Sequence, residues 1–128
     1  MNDVPRKGSV LLEALLSVVI LSVGITVIVQ SMTASLRASM VSSDYSKAMY
    51  LLDNKMTEYV QALSTGHIFS EENKFSEPFD KFSYSLKADP LDDKPNLNKI
   101  HLEVDWKNQN IEKTIALETY LIKPKEEK

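Results

Sequence analysis

The chain has 128 residues, with 15 basic and 18 acidic side chains and a net charge of -3, a length for one small domain and a balance that excludes nucleic-acid binding by bulk positive charge. Three glycines leave little material for a phosphate-cradling loop, and the absence of cysteine excludes disulfides, thiolate metal sites, a cysteine nucleophile and a lipid-modified cysteine anchor. The charge is distributed very unevenly, and that unevenness organises the chain.

From Ala14 to Leu36 there is no Asp, Glu, Lys, Arg or His. A helix of that length rises roughly 35 Å, enough for a hydrocarbon core of roughly 30 Å. Its most apolar part, Ala14 to Val29, is interrupted only by Ser17, Ser22, Gly24 and Thr26, which a membrane helix tolerates and which allow close helix packing. A buried core helix is the alternative, but so small a remainder could hardly surround a helix apolar on all sides. Arg6 and Lys7 precede the gap. Positive charge beside an apolar segment stays cytoplasmic, so the part beyond Leu36 is expected outside. Three N-termini are compatible with this pattern: a secretory signal peptide cut near Thr33-Ala34-Ser35, an uncut anchor, or a segment in which Glu13 has work to do.

Glu13 is a carboxylate at the start of a membrane segment, where it costs roughly 2 to 3 kcal/mol on translocon-type scales. One account is an interfacial side chain that reaches headgroup water and suits the helix dipole. The surrounding residues suggest another. The run Arg6-Lys7-Gly8-Ser9-Val10-Leu11-Leu12-Glu13-Ala14-Leu15-Leu16 resembles the class III signal of type IV pilins and type II secretion pseudopilins. The resemblance implies a leader over residues 1–8, cleavage between Gly8 and Ser9 by prepilin peptidase, N-methylation of Ser9, and Glu13 as the assembly glutamate. A glycine before the cut lets a protease approach the backbone closely. The residue after the cut is usually Phe or Met in the family and is Ser here.

Beyond the gap, no proline occurs between Pro5 and Pro78, so one helix is predicted from about Ser9 to Leu63: a transmembrane half over 9–36 and an amphipathic half over about 37–63. Val41, Tyr45, Met49, Leu52, Met56, Tyr59 or Val60, and Leu63 recur at spacings of three and four and predict the buried stripe. Gly66 is the expected left-handed stop. His67 to Lys81 reads as a loop anchored by Phe69, Phe75 and Phe79. Alternation then predicts three strands over about 82–122: Phe82-Tyr84-Leu86, Ile100-Leu102-Val104-Trp106 and Ile115-Leu117-Thr119-Leu121, with Lys107 to Asn110 as the turn between the last two. The fold expected is α+β, a long helix packed on a small antiparallel sheet in a domain over 37–128, and the family resemblance implies the same pilin-like arrangement. Lys123 to Lys128 is expected to fray.

Other sites are weaker. Asp89 to Asn98 reads as an acidic loop without EF-hand spacing or its turn glycine, so solvation is preferred over calcium. His67 and His101 lack companions at metal spacing. No nucleophile elbow, P-loop or catalytic carboxylate pair is recognisable, so neither an enzyme nor a cofactor is expected. Val104-Asp105-Trp106 followed by Thr114 to Tyr120 resembles the C-terminal hairpin of the minor pseudopilin of the I type. The resemblance implies a subunit of the type II secretion pseudopilus tip, held in the inner membrane with its domain periplasmic. Its implied partners are prepilin peptidase and, through the N-terminal helix, other minor and major pseudopilins. A minor pilin of a type IV pilus or DNA-uptake machine shares every one of these motifs, and an anchored or secreted binding domain is the alternative from another class.

Overall fold

The structure, a computed structural model, describes residues 6–124. Residues 1–5 of the expected leader, and residues 125–128 of the tail expected to fray from Lys123, lie outside the described residues. The element order is α1 (Arg6–Ser64), β1 (Glu71–Lys74), β2 (Phe82–Leu91), β3 (Lys94–Asn108) and β4 (Ile111–Ile122). The α+β class expected from the sequence is the one observed. The chain divides into two compact units, one ending at Met40 and one beginning at Val41. The described residues of the first are helix alone. The second holds the rest of α1 and the sheet.

Within the second unit, α1 buries Ala48, Leu51, Leu52, Met56, Tyr59 and Leu63. The expected stripe is therefore correct from Leu52 onward and displaced before it. Met49 is 57% exposed and Val41 and Tyr45 more than a third. At about 100° per residue, Ala48 rather than Met49 lines up with Leu52, Tyr59 and Leu63. The helix ends as its glycine predicts. Gly66 has φ of 86°, its N–H donates to Leu63 C=O at 2.9 Å, and His67 N–H donates to Ala62 C=O at 3.3 Å. These are the two reversal bonds of a Schellman motif, and they occupy carbonyls that the helix end leaves free.

The sheet is antiparallel in the order β1-β2-β3-β4. Even-numbered residues of β2 and β3 face α1: Phe82, Tyr84 and Leu86 beside Ile100, Leu102, Val104 and Trp106, all buried. Ile115 and Leu121 of β4 pack against this core. At about 25 cal/mol per Å² of apolar area, burial of this face is the main force holding the unit together.

Two expected loops are corrected. The segment from His67 to Lys81 contains β1, whose four residues pair with Ser83 to Leu86. Glu-Glu-Asn-Lys has no apolar alternation, so this strand exists only through its partner. Its flanks behave as expected: Phe75 and Phe79 pack against the core, and Phe69 meets Tyr59 edge to face at 5.4 Å. The acidic stretch from Asp89 to Asn98 is mostly strand, with only Asp92 and Asp93 between β2 and β3. Its prolines sit where no neighbour needs their N–H. Pro90 lies past the end of β1, which reaches Leu86, and Pro95 precedes Leu97, where pairing with β4 begins. The expected turn from Lys107 to Asn110 tightens to two residues, Gln109 and Asn110.

Candidate functional site

The sequence points to the start of α1, and the structure places Gly8, Ser9 and Glu13 in its first turns, all exposed. Gly8 has no positive φ, and no atom of its surroundings would meet an added Cβ. No contact among the described residues thus calls for glycine there. Glu13 stands among Val10, Leu11, Leu12, Leu15 and Leu16, each about three-fifths exposed or more, and no ion pair in the described residues involves it.

This apolar stretch has the properties of a helix that can cross a membrane. Its most apolar window has a mean hydropathy of 2.5 and buries none of its residues. Its hydroxyls turn back on the helix. Ser17 Oγ donates to Glu13 C=O at 2.8 Å, Ser22 to Val18 at 2.7 Å, Thr26 to Ser22 at 2.8 Å and Thr33 to Val29 at 2.9 Å. Each of these hydroxyls finds its partner inside the helix, as a segment facing lipid requires. On the helical wheel Glu13, Ser17, Gly24, Ser31 and Ser35 fall within an arc of about 40°, so the carboxylate heads a face of small residues, the kind that lets helices approach closely.

The second unit carries polar groups that were not foreseen as a set. His101, Glu103 and Lys99 project from the outer face of β3, and register brings Glu118 of β4 opposite His101. His101 Nε2 lies 2.6 Å from Glu103 Oε1, and Nδ1 lies 3.0 Å from Glu118 Oε1. Lys99 Nζ reaches the same Glu118 oxygen at 3.4 Å. The hydrogen bond to Glu103 raises the His101 pKa above its ordinary value, opposed by desolvation and supported by Glu118. Lys99, then His101, lowers that of Glu118. The two carboxylates grip opposite nitrogens of one ring and do not converge on a common point. The i, i+2 spacing of His101 and Glu103 was the available signal. Glu118 needed the strand register.

A groove of about 530 Å³ is lined by Lys74, Lys81, Ser83, Asp105, Lys107 and Glu112. Its charges are largely engaged: Lys81 pairs with Asp44 at 2.6 Å and Lys107 with Glu112 at 3.6 Å. Asp105 accepts a hydrogen bond from Thr114 Oγ1 at 2.5 Å. No cluster of three or more His, Asp or Glu with metal-binding proximity occurs among the described residues. Asp89 and Asn98 are separate strand residues rather than members of one coordinating loop. The chain matches no family model, no curated protein and no solved structure.

Proposed function

We propose that this chain is a minor pseudopilin, a structural subunit of the pseudopilus tip in a type II secretion system. The observation that carries the proposal is the run Gly8-Ser9-x-x-x-Glu13 at the head of a helix that is exposed, apolar and, beyond Glu13, uncharged as far as Leu36. The long helix followed by a small antiparallel sheet is compatible with a pilin-like subunit.

In this reading prepilin peptidase cuts after Gly8 on the cytoplasmic side, Ser9 becomes the methylated N-terminus, and the part of α1 from residue 9 to 36 stays in the inner membrane with the second unit in the periplasm. Arg6 and Lys7 hold the leader on the cytoplasmic side. Glu13 then has a defined task. A carboxylate packed among apolar helices takes up a proton or finds a cation. The new amino group of a neighbouring subunit's Ser9 is such a cation, so a residue disfavoured in lipid alone becomes favoured in the assembly. The face of small residues running from Ser17 to Ser35 lets the neighbouring helix come close.

The test is the mature N-terminus of the protein isolated from its native membrane, read by intact mass and peptide sequencing. N-methylated Ser9 is the expected result. An N-terminus at Ser35, as an ordinary signal peptide would leave, or an intact Met1 overturns the proposal.

A further inference from the structure

β4 ends the sheet, with β3 on one side and no strand on the other among the described residues. Lys123 N–H donates to Asn96 C=O at 2.8 Å, and Leu97 opposes Ile122. Together these fix the alternation of the ladder. Odd-numbered residues of β4 direct their N–H and C=O groups to β3 and their side chains to the α1 side. Even-numbered residues direct their N–H and C=O groups away from β3 and their side chains to the outer face. Edges of this kind are normally blunted by shortness, proline, a bulge or inward charge. β4 is 12 residues long, contains no proline and pairs with β3 without a register shift. Its inward-facing charge is Lys113 alone.

The two faces of this edge differ in chemistry. On the α1 side Leu117 is 39% and Ile111 58% exposed. One flank of α1 reaches toward β1, where Lys55 approaches Glu71. The other flank therefore overlooks β4, and it presents Met49 and Val60, both exposed. On the outer face the charged residues of β4 are Glu112 and Glu118, both acidic. Their ion pairs with Lys107, Lys99 and His101 all use Oε1, and neither Oε2 has a partner among the described residues. A second copy of this chain offers two edges, and neither suits this one. Its β4, paired antiparallel about a twofold, reverses the direction of α1, and two oppositely directed copies could not share one membrane. Its β1 is Glu-Glu-Asn-Lys, which brings Glu71 and Asn73 to the apolar side and Glu72 to the acidic one.

We propose that β4 is the docking edge for an extended segment of a different protein, added antiparallel as a fifth strand, with apolar residues toward α1 and basic residues on the outer face. Such a strand pairs with the outward N–H and C=O groups of Thr114, Ala116 and Glu118. Leu117 and Ile115 then stand at the positions where cross-strand side chains approach most closely, so the segment carries apolar residues opposite both, on the side of Met49 and Val60. Glu118 and Glu112 favour cations opposite them. These two residues are six positions apart. The segment therefore has basic residues at its first and seventh positions and apolar residues at its second and fourth. Lys113 faces the sixth position and favours a neutral or acidic residue there. An extended segment carries no helix of its own, so the direction of α1 places no restriction on it. The inference stands whether or not the chain is a pseudopilin.

The test uses the full chain in phosphatidylcholine nanodiscs and, as probe, the peptide Lys-Val-Thr-Val-Thr-Thr-Lys carrying a neutral fluorophore. Fluorescence anisotropy reads affinity, and residue-resolved hydrogen exchange reads position. Saturable binding below about 1 mM is expected, with slowed exchange at the amides of Thr114, Ala116 and Glu118 and no change at the odd-numbered amides of β4. Ala116→Pro removes one outward N–H and none that β3 uses, and should weaken binding about ten-fold or more. Glu112→Lys should weaken it about three-fold, and a peptide with Glu at its seventh position should reverse that preference. The charge swap decides the question if the proline variant does not fold. The proposal is overturned by no binding at about 1 mM, by slowed exchange elsewhere than at the outward amides, by unchanged affinity in a folded Ala116→Pro chain, or by equal affinity for the native and Glu112→Lys chains. Protection of the same amides that grows with the concentration of the chain alone gives the edge to a second copy and overturns it as well.

Discussion

Tyr45 and Trp106 meet edge to face, with ring centroids 5.0 Å apart and planes at 87°. The pair joins α1 to β3 at one end of the core, where Phe82 also stacks obliquely on Trp106 at 5.8 Å. Trp106 is 3% exposed. Trp106→Ala is expected to lower the stability of the second unit by about 3 to 5 kcal/mol through lost transfer energy and a cavity. Tyr45→Leu keeps most of the apolar area and forfeits the ring geometry, for about 1 kcal/mol. Urea titration of the full chain in detergent checks both. Fluorescence of the single tryptophan reports Tyr45→Leu, and tyrosine near-ultraviolet dichroism reports Trp106→Ala.

The His101 cluster makes stability depend on pH. Its raised pKa means that the fold favours the protonated ring. That contribution is complete below the ordinary value of 6.5 and is lost as pH rises through the folded value. Glu118 is lowered, so its contribution is present above the ordinary 4.5 and is lost as pH falls through its folded value. The contacts of β3 with β4 through this cluster are therefore strongest between about pH 4.5 and 6.5. Urea midpoints at pH 5.5 and 8.5 should differ more for the native chain than for His101→Gln. Equal differences would remove His101 from the account.

The turn between β3 and β4 has a residue choice that can be improved. Gln109 and Asn110 hold φ of 49° and 64°, and Asn108 pairs with Ile111 around them. A two-residue hairpin with both central residues left-handed favours Asn-Gly. Asn110 suits the conformation and Gln109 does not. Gln109→Asn is expected to stabilise the hairpin by a few tenths to about 1 kcal/mol, and Gln109→Val to destabilise it by about 1 to 2 kcal/mol. Thermal melts of the two variants with opposite signs of shift are the check.

What the sequence made legible followed the strength of the periodic signal. Phe82 to Leu86 and Ile100 to Trp106 alternate without a break, and both are strands with the expected face buried. Gly66 announced the helix end because only a left-handed residue allows that reversal. The misses in the sheet share a cause in tertiary pairing. β1 carries no apolar residue and is held by the backbone of β2. Pro90 and Pro95 looked like loop residues because their tolerance depends on where the neighbouring strands stop. Met49 outranked Ala48 by size, yet angular position on the helix decides burial, and Ala48 is fully buried. At the helix start, Gly8 and Ser9 stand out only through their spacing from Glu13, and among the described residues no packing demand distinguishes Gly8.

The Glu13 carboxylate separates anchoring from assembly. Its neighbours Val10, Leu12 and Leu16 are exposed, and no partner in the described residues neutralises it. If the pseudopilin proposal is correct, Glu13→Gln and Glu13→Ala leave α1 helical and no less apolar, so insertion and removal of the leader after Gly8 proceed as before. Replacing a charge near the membrane lowers the cost of the isolated chain in lipid by up to about 2 to 3 kcal/mol, so the variants should be at least as abundant in the membrane fraction. They lack the group that pairs with a neighbour's Ser9 amine, and assembly should fall while abundance holds. Quantitative co-purification with partner subunits, normalised to the processed chain in the same membranes, reads the two effects apart. A loss of both would mark Glu13 as a folding or insertion residue. Unchanged recovery of partners would remove it from assembly altogether. Glu13→Asp, which keeps the charge on a side chain one methylene shorter, should restore part of the pairing if contact with the amine is what matters.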